Sequence, residues 1–103
     1  MTTRILYVDH ADLMGGAEQS LLRLMAGLDR SRYTPMLAGN PDTPIYEAAR
    51  LRGIATHPVE LEPLRGNLDP IRVARTWQRG VAGLRHVIRE EGVHLLHSNV
   101  MRA

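Results

Sequence analysis

The chain has 103 residues, 44% of them hydrophobic and 23% charged, which gives material for one core but excludes a self-contained two-domain enzyme, a disordered tail and a fibrous repeat. All 13 residues in the Lys+Arg count are arginine; without lysine there is no Walker A loop, no Schiff-base amine and no receiver domain, although the opening strand ending at Asp9 has a receiver's look. A net charge of +2, with arginines scattered among Asp and Glu, argues against a nucleic-acid partner, and zero cysteine removes disulfides, thiolate catalysis and Cys-based zinc sites and accords with a reducing cytoplasm.

Arg4-Ile5-Leu6-Tyr7-Val8-Asp9 is a continuous β-prone run, too short for a signal sequence or a membrane span, and has the pattern of a central strand buried on both faces of a parallel sheet. A loop with Asp12 and the pair Gly15-Gly16 follows. Ala17, Leu21, Leu22, Met25 and Leu28 then recur at helical spacing up to Asp29. Residues 33–39 form a second strand, in which Pro35 calls for an edge or an early position. Pro44 and Gly53 bracket a second helix carrying Ile45, Ala48, Ala49 and Leu51, and residues 54–61 form a third strand.

Residues 62–69, with Pro63, Gly66 and Asn67, have loop chemistry, and Asp69-Pro70 is an N-cap and first turn for a long helix. Its apolar stripe is Ile71, Ala74, Trp77, Val81, Leu84 and Ile88. Gly80 and Gly83 within it each cost about 1 kcal/mol against Ala, so they imply close packing or a kink. Glu90-Glu91-Gly92 ends the helix, and residues 93–98 form a fourth strand before a new loop begins. This alternation predicts an α/β fold: a Rossmann-like parallel sheet in β-α-β-α-β-α-β order. Ligands of such sheets bind at the carboxyl ends of the strands near the topological switch, which the first and fourth strands would flank.

Two places there carry candidate chemistry. Gly15-Gly16-Ala17-Glu18 opens a helix after a strand, so its backbone can approach a ligand closely and its N–H groups can face an anion such as a diphosphate. A plain turn into the helix, with Glu18 complementing the helix dipole, is the competing reading. The G-x-G-x-x-G fingerprint is absent and the second strand ends in Ala38-Gly39-Asn40 without an acid, which disfavours a dinucleotide. His97-Ser98-Asn99 ends the fourth strand, making His97 the best polar site residue, against the alternative of a satisfied histidine buried at a strand end. His94 and His97, three apart on a strand, face opposite sides and lack a third ligand, so no metal site is expected. His10 and His57 read as isolated, and Arg65 in the third loop is a candidate for an anionic or hydroxylated substrate, although a solvated surface arginine is the commoner case.

Taken together, the opening strand, the block Gly15-Gly16-Ala17-Glu18-Gln19-Ser20-Leu21-Leu22-Arg23-Leu24, the join Leu51-Arg52-Gly53-Ile54 and the block Val93-His94-Leu95-Leu96-His97-Ser98-Asn99 resemble the N-terminal, acceptor-side half of family 4-type glycosyltransferases. These are retaining, nucleotide-sugar-dependent enzymes with the GT-B fold. The resemblance implies that Gly15 and Gly16 lie near the donor diphosphate and that His97 and Asn99 occupy the positions of a histidine pair at the transferred sugar. Asn99 cannot act as acid or base there, so its role would be hydrogen bonding. It further implies metal-independent front-face transfer with no cofactor beyond the nucleotide-sugar donor. Residues 1–103 are then a partial N-terminal domain, inactive alone and completed by a donor-binding C-terminal half in cis or in trans. Self-association through the sheet edge and peripheral membrane attachment of the complete enzyme are further expectations. An inert α/β interaction module, or half of a split GT-B enzyme such as a nucleotide-sugar epimerase, is the alternative.

Overall fold

The computed structural model of the chain describes residues 2–9, 14–59 and 70–98. The expectations placed on His10, Asp12, Arg65, Asn99 and the loop 62–69 lie outside the described residues. The elements in chain order are β1 (Thr3–Val8), α1 (Gly16–Gly27), β2 (Tyr33–Gly39), α2 (Pro44–Leu51), β3 (Ala55–Pro58), α3 (Pro70–Glu91) and β4 (Leu95–Ser98). All strand pairs are parallel and the sheet order is β3-β2-β1-β4, so β1 is central as its unbroken apolar run predicts. None of the described helices is long and apolar enough to cross a membrane.

The alternation of the strands sends side chains to two cores. Ile5, Tyr7 and Leu37 pack with Leu21, Leu22 and Met25 of α1 and Ile45 and Ala49 of α2. Leu6, Val8, Met36 and Ala38 face the other way, onto Val59 and Val87 with Leu84 and Ile88 of α3 beside them. Leu6, Met25, Met36 and Leu37 are completely buried, and each such side chain contributes about 1.5–3 kcal/mol relative to exposure. Gly53 (φ +76°) and Gly92 (φ +62°) follow α2 and α3 in the left-handed region, which stops both helices where their glycines predict.

β2 lies between β1 and β3, so of the two positions expected for Pro35, an edge or an early one, the early one holds. The bonds Thr3 N–H to Arg32 C=O and Asp9 N–H to Ala38 C=O make the even residues of β2 face β1, so the missing Pro35 N–H points to the β3 side, one residue before that ladder begins at Met36–Ala55. Strands β3 and β4 are shorter than their apolar runs, at four residues each. Of the stripe expected on α3, Leu84 and Ile88 pack against the core with Val87, whereas Ile71 and Val81 are exposed; Gly80 is buried, and Gly83 lies where a Cβ would meet Val59 Cγ1 at 3.2 Å. Gly83 thus lets the uninterrupted helix lie close against Val59, the close packing expected of it.

At the opposite end of β1, Arg4 fastens β4 and α3 to the sheet. Its backbone N–H donates to His94 Nδ1 at 2.9 Å while His94 N–H donates to Arg4 C=O at 2.9 Å, and its guanidinium pairs with Glu91 Oε1 at 2.9 Å and donates to the Glu91 carbonyl. His94 is therefore occupied structurally.

At the carboxyl end of the sheet, a Cβ on Gly39 would lie 2.6 Å from the backbone oxygen of Asp9. Because that oxygen belongs to the chain of the central strand, it cannot yield without disturbing β1–β2 pairing. Gly39→Ala is expected to destabilise the fold by about 2 kcal/mol, a fall in Tm of about 10 °C in thermal unfolding, and an unchanged Tm would contradict this packing.

Candidate functional site

Because β1 and β2 are parallel, the crossover between them must return α1 antiparallel to the strands, which sets the first turn of α1 at the carboxyl end of the sheet. Val8 is in register with Ala38 of β2 and Ser98 of β4, so three strand ends meet on that side. Asp9, completely buried, closes the central strand there. Its place directly after a fully apolar central strand is the signal in the sequence for this burial.

In the first turn, Gly15 is the extended N-cap (φ −95°, ψ −171°) and Gln19 N–H makes the first helical bond to Gly15 C=O at 3.0 Å. The amides of Gly16, Ala17 and Glu18 consequently have no intrahelical acceptor. Gly15 N–H, in contrast, donates to Glu18 Oε1 at 3.1 Å. Glu18 is only 3% exposed, and its other oxygen, Oε2, is buried without a hydrogen-bond partner among the described residues. The dipole-complementing reading of Glu18 is thus realised in its geometry, and the expected cradle of free amides starts at Gly16. Among the described residues a Cβ on Gly16 would meet nothing within 4 Å, so nothing described requires glycine there.

His97 stands beside Tyr7 in register, on the α1–α2 side of the sheet, with ring centroids 5.2 Å apart and planes inclined at 54°. It is exposed, which overturns the alternative of a buried, satisfied histidine. Ser98, next in the strand, is in register with Val8 and points to the α3 side. His57, whose Nε2 is buried without a partner among the described residues, is in register with Ala38 on the α3 side, a different sheet face from Tyr7 and His97. No group of three or more His, Cys, Asp or Glu fit to hold a metal ion occurs among the described residues. The site therefore combines a helix N-terminus, a buried carboxylate and an imidazole on a neighbouring strand. Such a set can bind anions and hydroxyls.

No protein-family model matches the chain, and no curated protein matches it. Among solved structures it is similar to Alr3699/HepE from Anabaena, determined in complex with UDP and glucose. The identity is 18% and the TM-score 0.58, over 94% of this chain and 23% of that one, so the chain spans about a quarter of the protein it matches. The α/β, Rossmann-like fold is shared between them.

Burial raises the pKa of the Tyr7 phenol above its ordinary value of 10.0. Stability from this group is present below pH 10 and is lost as pH rises through the folded-state pKa, because the unfolded chain releases the phenolic proton first. Tyr7→Phe is expected to flatten the fall in stability above pH 10, measured by denaturant titration at stepped alkaline pH. An identical alkaline slope in both proteins would contradict it.

Proposed function

We propose that this chain is the acceptor-side part of a retaining glycosyltransferase of the family 4 type, moving a sugar from a nucleotide-sugar donor. The observation that carries the reading is the fold shared over 94% of the chain with a protein that holds UDP and glucose. The site supports it: the first-turn amides of α1 carry the positive end of a helix dipole suited to a donor phosphate, and His97 stands on the strand next to the one that leads into that turn. In this reading Gly16 gives the donor access to the helix amides, and His97, with Asn99 and Arg65, hydrogen-bonds the sugar or acceptor. The chain contributes positioning and charge stabilisation, with the donor pocket completed by a further half in cis or in trans, and it works in the cytoplasm without a metal.

The test is Gly16→Val in the complete enzyme, where the open space around Gly16 predicts retention of fold and Tm while the side chain blocks the amides. Transfer from a UDP-sugar should be lost with the circular-dichroism spectrum unchanged; undiminished turnover would sink the assignment. In this reading the main donor contacts lie in that further half, so the 103-residue chain alone should bind UDP-glucose more weakly than micromolar in calorimetry.

One observation favours the interaction-module reading in part. Strand β4 is at the sheet edge with Leu95 55% and Leu96 54% exposed, an open ladder suited to a second copy of the chain. That reading expects concentration-dependent association in analytical ultracentrifugation, abolished by Leu96→Lys; a monomer at all concentrations would remove it.

A further inference from the structure

The imidazole of His97 belongs to a strand at the edge of the sheet and is exposed, so little of the described fold confines it. A side chain in that setting can occupy several staggered positions about χ1, each of which points the ring nitrogens in a different direction. The ring contact it has is with Tyr7, directly opposite on β1, at a centroid separation of 5.2 Å and an inclination of 54°. That separation and tilt lie where two π rings attract each other beyond simple burial. An attraction of that kind corresponds to about two- to tenfold in the population of the oriented imidazole.

Tyr7 has no comparable freedom. It is 4% exposed, has Leu37 of β2 on its other flank, and belongs to the same buried cluster as Leu21, Leu22 and Met25 of α1. The helix that begins at Gly16 is therefore packed onto the same side chain against which His97 leans. We propose that Tyr7 is a positioning residue: its fixed ring selects one orientation of the His97 imidazole and sets it relative to α1, so that the two parts of the site share one point of reference. The proposal rests on the glycosyltransferase reading for what His97 meets, a sugar or acceptor hydroxyl, and deepens it by naming the group that holds His97 ready.

NMR of the 103-residue chain tests the orientation itself. The His97 ring protons should show cross-relaxation with the Tyr7 ring and signals displaced from those of an unstructured histidine, and absence of both would overturn the proposal. A double-mutant cycle in the complete enzyme tests the consequence. Tyr7→Leu should lower kcat/KM for transfer from a UDP-sugar about two- to tenfold, whereas Tyr7→Phe, which keeps the ring, should retain it. With His97→Ala already in place, Tyr7→Leu should cost no further activity, because its effect passes through His97. An equal loss in both backgrounds, or a loss in Tyr7→Phe as large as in Tyr7→Leu, would leave Tyr7 a purely structural part and overturn the proposal. Tyr7→Met fills the space flexibly without a ring and carries the same cycle if Tyr7→Leu does not fold. Absence of sugar transfer by the unaltered enzyme would remove the glycosyltransferase reading, and the orientation of His97 by Tyr7 would then stand or fall on the NMR result.

Discussion

A strand whose two neighbours both run parallel to it cannot be joined to either by a tight turn, and each connection has to leave the sheet and return over one of its faces. Strand β1 is in that position, paired with β2 on one side and β4 on the other. Its side chains must therefore be apolar on both faces, and helices must cover both. The two cores follow from this: Ile5 and Tyr7 under α1 and α2, Leu6 and Val8 under α3. The same geometry gathers the carboxyl ends of β1, β2 and β4 on the side where α1 starts.

The candidate site is a by-product of that arrangement. A helix that must start beside the end of the central strand brings unpaired amides with it, and the residues at its first positions decide what those amides meet. Here Gly16 leaves them accessible while Glu18 places a carboxylate beside them, already committed through one oxygen to Gly15. Whatever binds there meets the Glu18 carboxyl group as well as the dipole.

Most of the architecture was legible from residue patterning. The order of elements, the central place of the first strand, the glycine stops at Gly53 and Gly92 and the meeting of first and fourth strands all follow from apolar runs and turn chemistry. What was not legible depended on three-dimensional neighbours. Ile71 and Val81 fit the same helical stripe by spacing as Leu84 and Ile88, yet only the latter pair packs on the core, where Gly83 also allows a close approach to Val59. Pro35 is tolerated inside the sheet through the parity of its hydrogen bonds and the late start of β3, which no local window contains. At the site, Gly15, Gly16, Glu18 and His97 could be picked out from position alone. The burial of Glu18 and its single committed oxygen could not, because they depend on side-chain direction rather than on spacing.

The clasp at Arg4 bears on how the molecule reaches its native state. Residues near the start of the chain, Arg4 above all, close onto His94 and Glu91, some 90 positions later, whereas the β1–β2 ladder joins residues about 30 apart. During synthesis β1 therefore emerges well before β4 and acquires that neighbour only after the entire α3 segment has left the ribosome. Such high contact order slows folding and leaves a naked strand edge in the growing chain. The nascent polypeptide is consequently most vulnerable to misassociation between completion of β2 and arrival of β4, a window in which chaperone engagement would matter more than for a helical bundle of equal length.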